Sequence, residues 1–169
     1  ELQRKSIEDF KKAQKTPLVI VLDNIRSQNN IGSIFRTSDA FLVEKIILCG
    51  ITSTPPNVDI HKTALGAEDS VSWKYFESTA EAILKLKEEN YTIYAIEQVE
   101  NSLSLNEVQI DKNKKYALIL GNEVKGVQQE VINLSDAAIE IPQYGTKHSL
   151  NVSISAGIVI WDFFTKMQD

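Results

Sequence analysis

Short apolar runs alternate along this chain with stretches in which apolar residues recur at helical spacing. Several runs are apolar throughout, as expected of parallel strands that are covered on both faces. This alternation predicts an α/β fold with a mostly parallel sheet and helices on both faces. The predicted strands are Leu18–Leu22, Lys45–Cys49, Val71–Phe76, Thr92–Ile96, Tyr116–Leu120 and Ala137–Ile141, and the predicted helices cover 31–42, 78–90, 127–134 and 149–166.

Residues 1–15 carry a separate amphipathic pattern that ends before Pro17. The pattern predicts a short helix, which is either an accessory arm or a terminal helix packed on the domain. No linker rich in Pro, Ser or Gly divides the rest of the sequence. We therefore expect an N-terminal helical arm at 1–15 and one domain at 16–169.

The composition agrees with one folded domain, with 169 residues, 43% apolar and 24% charged. It excludes a disordered tail, a collagen-like fibre and a disulfide-stapled miniprotein. The net charge of −5 argues against a strongly basic nucleic-acid module. The charge is uneven, however, because 1–36 holds seven basic and four acidic side chains, whereas 77–107 holds seven Glu and two Lys. We assign the acidic segment to the outer body of the domain, and a local positive surface can still steer a partner.

Cys49 is the only cysteine and lies inside an apolar run, which predicts a small buried side chain. A single cysteine allows no disulfide within the chain, which is typical of a reducing compartment. Cys49, His61 and His148 match no recognised zinc spacing, so we expect no metal site. The sequence shows no hydrophobic signal segment, and its longest apolar stretch, 156–161, is too short to span a bilayer. We expect a cytoplasmic protein with no membrane partner.

The first stretch with candidate chemistry covers residues 29–37, after the first strand. Asn30 is the predicted N-cap of a helix that begins at Ile31. Gly32 and Arg36 lie off the apolar face of that helix, where the missing side chain at Gly32 would let a ligand approach the backbone beside Arg36. Arg36 would then lie near a helix N-terminus, which suits a phosphate. The alternative is a solvated Arg36 paired with Asp39.

The second stretch is a loop between Gly121 and Gly126 that follows an apolar strand. Loops at the carboxyl ends of parallel strands are where α/β proteins bind ligands. The loop matches neither the Gly-x-Gly-x-x-Gly pattern nor a Walker loop, so a phosphate cradle is weakly supported. A structural turn is the alternative.

The third stretch begins where a strand ends at Pro142 and continues into the last helix. Ser149 is the predicted N-cap of that helix, and Asn151 lies in the predicted first turn, where it serves either the site or only the backbone. Small residues at 153 and 155–157 allow close backbone packing, such as across a subunit interface.

In this order, the three stretches resemble motifs 1, 2 and 3 of the SpoU (TrmH) family within the SPOUT class of RNA methyltransferases. The resemblance covers about residues 17–165, and the ordered set of motifs is more specific than any one of them. It implies an α/β domain whose C-terminal part is threaded into a deep trefoil knot, an exception to the usual absence of knots. It also implies a homodimer that binds S-adenosylmethionine in the knot and methylates a ribose 2′-OH of tRNA or rRNA.

The resemblance also assigns roles by position. Arg36 matches the catalytic arginine, which either positions the RNA and stabilises an oxyanion or acts as the base. Glu123 matches the motif 2 glutamate, which supports either the active site or only the fold. The full set of matched catalytic positions is Asn30, Arg36, Glu123, Ser149 and Asn151. The cofactor-binding positions are Leu120, Gly121, Asn122, Gly126, Ile141, Pro142, Ser149 and Leu150.

RNA binding needs positive charge, because phosphate contacts dominate the affinity. Arg26, Arg36 and Lys147 are the candidate RNA contacts, and Tyr144 and His148 either stack on a base or anchor their loop. We expect a structured RNA as the partner, with tRNA favoured over rRNA. Two alternatives are a non-catalytic module that binds RNA or S-adenosylmethionine with the same fold, and a dinucleotide-binding protein. The second would need a glycine-rich turn after the first strand, which this sequence lacks.

Overall fold

This computed structural model describes residues 4–168. Within them, seven strands form one sheet in which every pairing is parallel. Its spatial order is β3-β2-β1-β6-β4-β7-β5, with the following bounds. The strands are β1 (Thr16–Asp23), β2 (Val43–Cys49), β3 (Trp73–Phe76), β4 (Tyr91–Ile96), β5 (Leu103–Ser104), β6 (Lys115–Gly121) and β7 (Ala137–Glu140).

Helices cover both faces of the sheet, as the apolar runs predicted. They are α1 (Ile7–Lys12), α2 (Gln28–Ala40), α3 (Val58–Ala64), α4 (Ala67–Ser70), α5 (Thr79–Glu88), α6 (Gln129–Leu134) and α7 (Val152–Met167), with a 3-10 turn at Leu105–Glu107.

Each face of the sheet has its own hydrophobic core, because successive side chains of a strand point to opposite faces. Leu18, Ile20 and Leu22 of β1 pack under α2, α3 and α7 in the larger core. Val19 and Val21 pack under α5 and α6 in the smaller one. The buried Cys49 side chain lies in this second core, where burial raises the pKa of its thiol to about 12.

All six predicted strands are present, and four short elements were missed: α3, α4, β5 and the 3-10 turn at Leu105–Glu107. The strand predicted at Val71–Phe76 begins only at Trp73, because Val71 ends α4. The segments α3 and α4 are too short to give a helical hydrophobic pattern, and the two-residue β5 is too short to be distinguished from a turn.

Both predicted N-caps were wrong by two or three positions. Ser27, not Asn30, caps α2, since its Oγ accepts a hydrogen bond from the Asn30 backbone N–H at 3.2 Å. Asn151, not Ser149, caps α7, since its Oδ1 accepts from the backbone N–H groups of Ser153 and Ile154 at 2.9 and 3.3 Å. The cap at Ser27 places Asn30 inside the first turn of α2, with its side chain free for other contacts.

The predicted role of Gly32, an open backbone that a ligand can approach, is wrong. Gly32 is buried, and a Cβ there would lie 2.1 Å from Thr63 Oγ1 and 2.2 Å from the Ile60 carbonyl oxygen. The missing side chain therefore lets α2 and α3 pack closely.

The N-terminal helix packs on the domain through Phe10, which is buried in the larger core. Residues 1–3 of the expected arm lie outside the described residues, and the division into arm and domain stays a prediction. No helix within 4–168 is long and apolar enough to cross a membrane. In the same range, no group of three or more His, Cys, Asp or Glu side chains could bind a metal ion. The cytoplasmic location stays a prediction.

The strand order places the candidate residues at one edge of the sheet. The chain builds β1, β2 and β3 outward on one side and then crosses to β4 on the far side of β6. Ligands of parallel sheets bind at the carboxyl ends of the strands near such a reversal. The loops after β1, β6, β4 and β7 all leave the sheet at this edge. The deep trefoil knot stays an expectation from the resemblance.

Candidate active site

Glu123 connects the loop after β6 to the start of α2. Its carboxylate accepts hydrogen bonds from the backbone N–H groups of Arg26 and Ser27 at 2.8 and 2.9 Å, and from Asn30 Nδ2 at 3.2 Å. Burial acts to raise the pKa of Glu123, but these donors outweigh it and hold the pKa below its usual range. The ionised carboxylate thus fixes the N-terminal turn of α2, where the helix dipole also favours negative charge.

Asn30 and Asn151 extend this network to the last helix. Asn151 Nδ2 donates to Asn30 Oδ1 at 3.3 Å, while its own Oδ1 caps α7. Asn30 therefore donates to Glu123 and accepts from Asn151. Motifs 1, 2 and 3, which are far apart in sequence, meet in one hydrogen-bonded chain. Asn151 thus caps the backbone of α7 and also contacts Asn30, while its role in the reaction stays a prediction.

Asn122 shapes the loop that carries Glu123. Its Oδ1 accepts from the backbone N–H groups of Val124 and Lys125, both at 2.9 Å, and its Nδ2 donates to the Asn24 carbonyl oxygen at 2.8 Å. Its backbone pairs with Gly126 in an isolated antiparallel bridge. The side chain predicted to bind the cofactor is thus engaged within the protein.

A cavity of about 480 Å³ opens beside this network. Its volume lies within the range of roughly 300–1,000 Å³ that is usual for small-molecule sites. Seven of the eight predicted cofactor positions line it, Pro142 being the exception, and so do Glu123 and Asn151. The seven are Leu120, Gly121, Asn122, Gly126, Ile141, Ser149 and Leu150.

The segment 141–150 forms one wall of the cavity with its backbone unpaired. None of its residues makes a hydrogen bond to any other described residue. Ile141 and Leu150 are half-buried in this wall, so their backbone groups are available to a ligand at the cavity. Backbone N–H and C=O groups at an apolar wall suit the edge of a planar base such as adenine.

The loop after β6, which forms another wall of the cavity, requires glycine at position 121. A Cβ on Gly121 would lie 2.2 Å from the backbone N of Val127 and 2.3 Å from the carbonyl carbon of Gly126. The loop after β6 therefore folds back against its own strand. The size of the cavity, its unpaired backbone and the charged groups at its edge fit S-adenosylmethionine, which has an adenine, a ribose and a charged amino-acid part.

Arg36 is exposed on α2, about 9 Å further along the helix than Asn30, given a rise of about 1.5 Å per residue. It forms no hydrogen bond or ion pair with any residue of 4–168. The alternative pairing with Asp39 is not formed, because Asp39 accepts a hydrogen bond from Ser70 Oγ. Arg36 does not line the cavity. Its guanidinium, unpaired within the described residues, lies on α2, whose first turn Glu123 holds, and is available to a ligand outside the cavity.

The other predicted RNA contacts are not joined to one another. Arg26 and Lys147 are exposed at the start of α2 and in the 141–150 segment, and neither side chain has a partner among residues 4–168. Tyr144 is 95% exposed and His148 lines the cavity. Anchoring of the loop by Tyr144 is excluded by this exposure.

Several polar residues that line the cavity were given no role from the sequence, among them Glu97, Gln98, Glu140 and Gln143. Glu97 belongs to the acidic segment assigned to the outer body, and this assignment was wrong for it. Burial raises the pKa of Glu97 above its usual range, and a hydrogen bond from the Val127 backbone N–H offsets the shift only in part. A partial signal was present, since Glu97 directly follows the apolar run of β4, which places it at the carboxyl edge of the sheet but does not say that it lines the cavity.

Comparisons with known proteins agree with this geometry. Residues 17–161 match the model of the SpoU rRNA Methylase family. The tRNA (guanosine(18)-2'-O)-methyltransferase of Thermus thermophilus is 32% identical over 162 residues, which is 96% of this chain and 81% of that protein.

Two solved structures have the same fold. The TrmH/SpoU tRNA modifying enzyme of Aquifex aeolicus superposes with a TM-score of 0.82 at 28% identity, over 95% of this chain and 79% of that one. An AdoMet-bound rRNA methyltransferase of Sinorhizobium meliloti gives 0.83 at 26% identity, over 95% and 61%. The chain therefore belongs to the SpoU family and is an S-adenosylmethionine-dependent RNA 2′-O-ribose methyltransferase.

Proposed function

We propose that this enzyme methylates a ribose 2′-OH of tRNA rather than of rRNA, with Arg36 at the reacting hydroxyl. The hydrogen-bonded chain from Glu123 through Asn30 to Asn151 carries this proposal. It connects the wall of the cofactor cavity to the helix that presents Arg36. A donor bound in the cavity and an RNA bound at Arg36 would therefore meet at one edge of the sheet.

S-adenosylmethionine supplies the chemistry when bound, a methyl group on a positively charged sulfur. In the reaction, the ribose 2′ oxygen would bond to the methyl carbon, the carbon–sulfur bond would break with its electron pair staying on sulfur, and the hydroxyl proton would pass to solvent water. Arg36 positions the phosphate and ribose and stabilises the negative charge that develops on the oxygen. Its guanidinium normally stays protonated, so we assign it positioning and charge stabilisation before base action.

Asn30 and Asn151 position α2 and α7 at the cavity, and Glu123 fixes the turn from which α2 begins. Ser149 has no protein partner within 4–168 and lines the cavity, which leaves its hydroxyl for the cofactor or the RNA. Preorganisation of this kind places reacting groups without reorganisation during the reaction.

The preference for tRNA rests on the relatives. The Thermus thermophilus protein is named for guanosine 18 of tRNA, and the Aquifex aeolicus structure is of a tRNA modifying enzyme. The Sinorhizobium meliloti structure keeps rRNA as the second candidate. Arg26 and Lys147, exposed and unpaired among the described residues, would contact the RNA backbone.

A homodimer is the second part of the proposal. Ile154, Ile158 and Trp161 follow one face of α7 and are 55%, 37% and 52% exposed. Apolar side chains aligned on one helix face favour burial against another protein surface. Because Asn151 caps α7, a partner on this face would lie beside the active site. Analytical ultracentrifugation should find twice the chain mass of 19.0 kDa, and a species of 19.0 kDa at micromolar concentration would contradict the dimer.

The function is tested with Arg36→Ala and tritiated S-adenosylmethionine on unmodified tRNA and rRNA. We expect transfer to fall by more than about 100-fold, the size of effect seen when a group that stabilises transition-state charge is removed. The affinity for S-adenosylhomocysteine should stay within about twofold, because Arg36 does not line the cavity. Lys87→Ala, a cation on the exposed side of α5, is the matched control and should keep full activity.

Near-normal turnover in Arg36→Ala would overturn the role of Arg36. Binding of RNA and S-adenosylhomocysteine by the unaltered chain, with no methyl transfer to any RNA, would identify the non-catalytic module instead. Mapping by mass spectrometry of the 2′-O-methyl nucleotides lost on gene removal decides between tRNA and rRNA.

A further inference from the structure

Glu97 lies in the cofactor cavity, at the carboxyl end of β4. Its backbone N–H donates to the Ile139 carbonyl oxygen at 2.9 Å, which continues the pairing of β4 with β7. The backbone is thereby fixed by the sheet, and Glu97 lines the cavity from this strand end. A side chain placed on a strand end is held more rigidly than one on a loop.

The loop after β6 is shaped to accommodate this carboxylate. Gly126 has a φ of +72° and lies against it, so that a Cβ there would be 2.2 Å from Glu97 Oε1. Position 126 therefore requires glycine for two reasons: its positive φ, and the space that the Glu97 carboxylate occupies. Together these contacts fix the carboxylate in the wall.

The acceptor capacity of Glu97 is mostly unused. Its one hydrogen-bond donor within residues 4–168 is the backbone N–H of Val127, and no Lys, Arg or His of that range pairs with it. A carboxylate has about four acceptor sites. Burying such a group without partners is costly, so a half-buried carboxylate in a ligand cavity indicates that the ligand brings donors.

We propose that Glu97 accepts hydrogen bonds from the two ribose hydroxyls of the cofactor, an inference that rests on the proposed function. The strand order favours this part of the cofactor. Arg36 and Asn30 follow β1 on one side of β6, whereas Glu97 follows β4 on the other side, away from the methyl-transfer face. Two neighbouring hydroxyls match two carboxylate oxygens, and other nucleotide-binding parallel sheets use an acidic side chain for the ribose in this way.

The test compares Glu97→Gln with the unaltered chain by calorimetry, using S-adenosylhomocysteine and 5′-methylthioadenosine. Both probes carry the ribose diol, and only the first carries an amino-acid part. We expect both affinities to fall by the same factor of about 10, the effect of weakening a charge-assisted hydrogen bond. A loss for S-adenosylhomocysteine alone would place Glu97 at the ammonium group and overturn the proposal.

A second pair of probes separates the ribose from the base. Adenosine and 2′,3′-dideoxyadenosine share the adenine and differ only in the diol. The unaltered chain should prefer adenosine by about tenfold, and Glu97→Gln should remove most of this preference. An unchanged preference would overturn the proposal, since Glu97 would then contact the base or nothing.

Glu100→Gln is the matched control. Glu100 is an exposed carboxylate three residues further along the chain and does not line the cavity. The control should bind every probe within about twofold of the unaltered chain. An equal loss in both variants would indicate a general effect of the protein's charge and overturn a specific role for Glu97. If the unaltered chain bound none of the adenosine probes, the proposed function itself would fail.

Discussion

Glu123 and Glu97 line the same cavity and differ in how many protein donors reach them. Two backbone N–H groups and the Asn30 amide donate to Glu123, whose pKa lies below its usual range. One backbone N–H reaches Glu97, whose pKa lies above it. A carboxylate whose acceptor sites are filled by the protein joins protein segments, whereas one with empty sites is available to a ligand. The donors around each carboxylate thus assign one to structure and the other to binding.

Asp23 extends this comparison to full burial. It ends β1, has no exposed surface, and accepts from Thr79 Oγ1 at 2.6 Å and from the backbone and side-chain N–H groups of Gln128 at 2.9 and 2.7 Å. Asn24 Nδ2 also donates to it at 3.1 Å. This buried carboxylate joins β1 to α5 and to the segment that leads into α6.

The largest stability change should therefore come from Asp23→Asn. The variant replaces one carboxylate oxygen by an NH₂ group. That group would face either the Thr79 hydroxyl and the Gln128 side-chain N–H or the Gln128 backbone N–H, and either way a buried donor is left unsatisfied. We expect the free energy of unfolding to fall by about 3 kcal/mol, as measured by urea denaturation.

The control for this loss is Glu81→Gln on the exposed side of α5, which should change the unfolding free energy by less than about 0.5 kcal/mol. If Asp23→Asn were equally neutral, the number of donors would be a poor guide to the role of a carboxylate. The comparison between Glu123 and Glu97 would then lose its basis.

The strands could be predicted from the sequence because burial on both faces leaves continuous apolar runs. The three motifs gave most of the cavity wall, because the family resemblance assigns Gly121, Ile141 and Leu150 to the cofactor by position and all three line the cavity. The caps were missed because Ser27 and Asn30 are both good capping residues, and only Glu123, almost 100 residues later, decides which turn begins the helix.

Glu97 could not be predicted by composition for a related reason. In sequence it is one of seven Glu in an acidic segment, and only the order of β6, β4 and β7 places it in the cavity. Strand order depends on contacts between distant segments, so a local pattern does not contain it. The short helix α3 was missed for the same reason. Its buried residues, Ile60 and Ala64, pack against α2, and seven residues are too few to show a helical hydrophobic pattern.

A smaller change should come from Glu123→Gln, which leaves one of three donors without an acceptor. The donors are near solvent, so we expect a loss of only about 1 kcal/mol of unfolding free energy at pH 7. Because the pKa of Glu123 is lowered on folding, its stabilising effect is present above the unfolded value of about 4.3 and is lost as the pH falls through the folded value. Urea denaturation from pH 7 to pH 3 should show the variant and the unaltered chain converging only below about pH 4.3.

Glu97→Gln should give the smallest change, with the opposite sign. The pKa of Glu97 is raised on folding, so its ionisation lowers stability as the pH rises from the unfolded value of about 4.3 through the folded value. Gln keeps the shape and an acceptor for the Val127 N–H but carries no charge. Without ligand, the variant should therefore equal the unaltered chain below about pH 4.3 and exceed it slightly at pH 7.

Saturating S-adenosylhomocysteine should reverse that order at pH 7, because a ligand stabilises the form that binds it more tightly. A carboxylate that destabilises the free protein and stabilises the complex is one placed for a ligand. If Glu97→Gln instead lost stability without ligand, as Glu123→Gln does, Glu97 would be a structural group. The two carboxylates of the cavity would then differ only in degree.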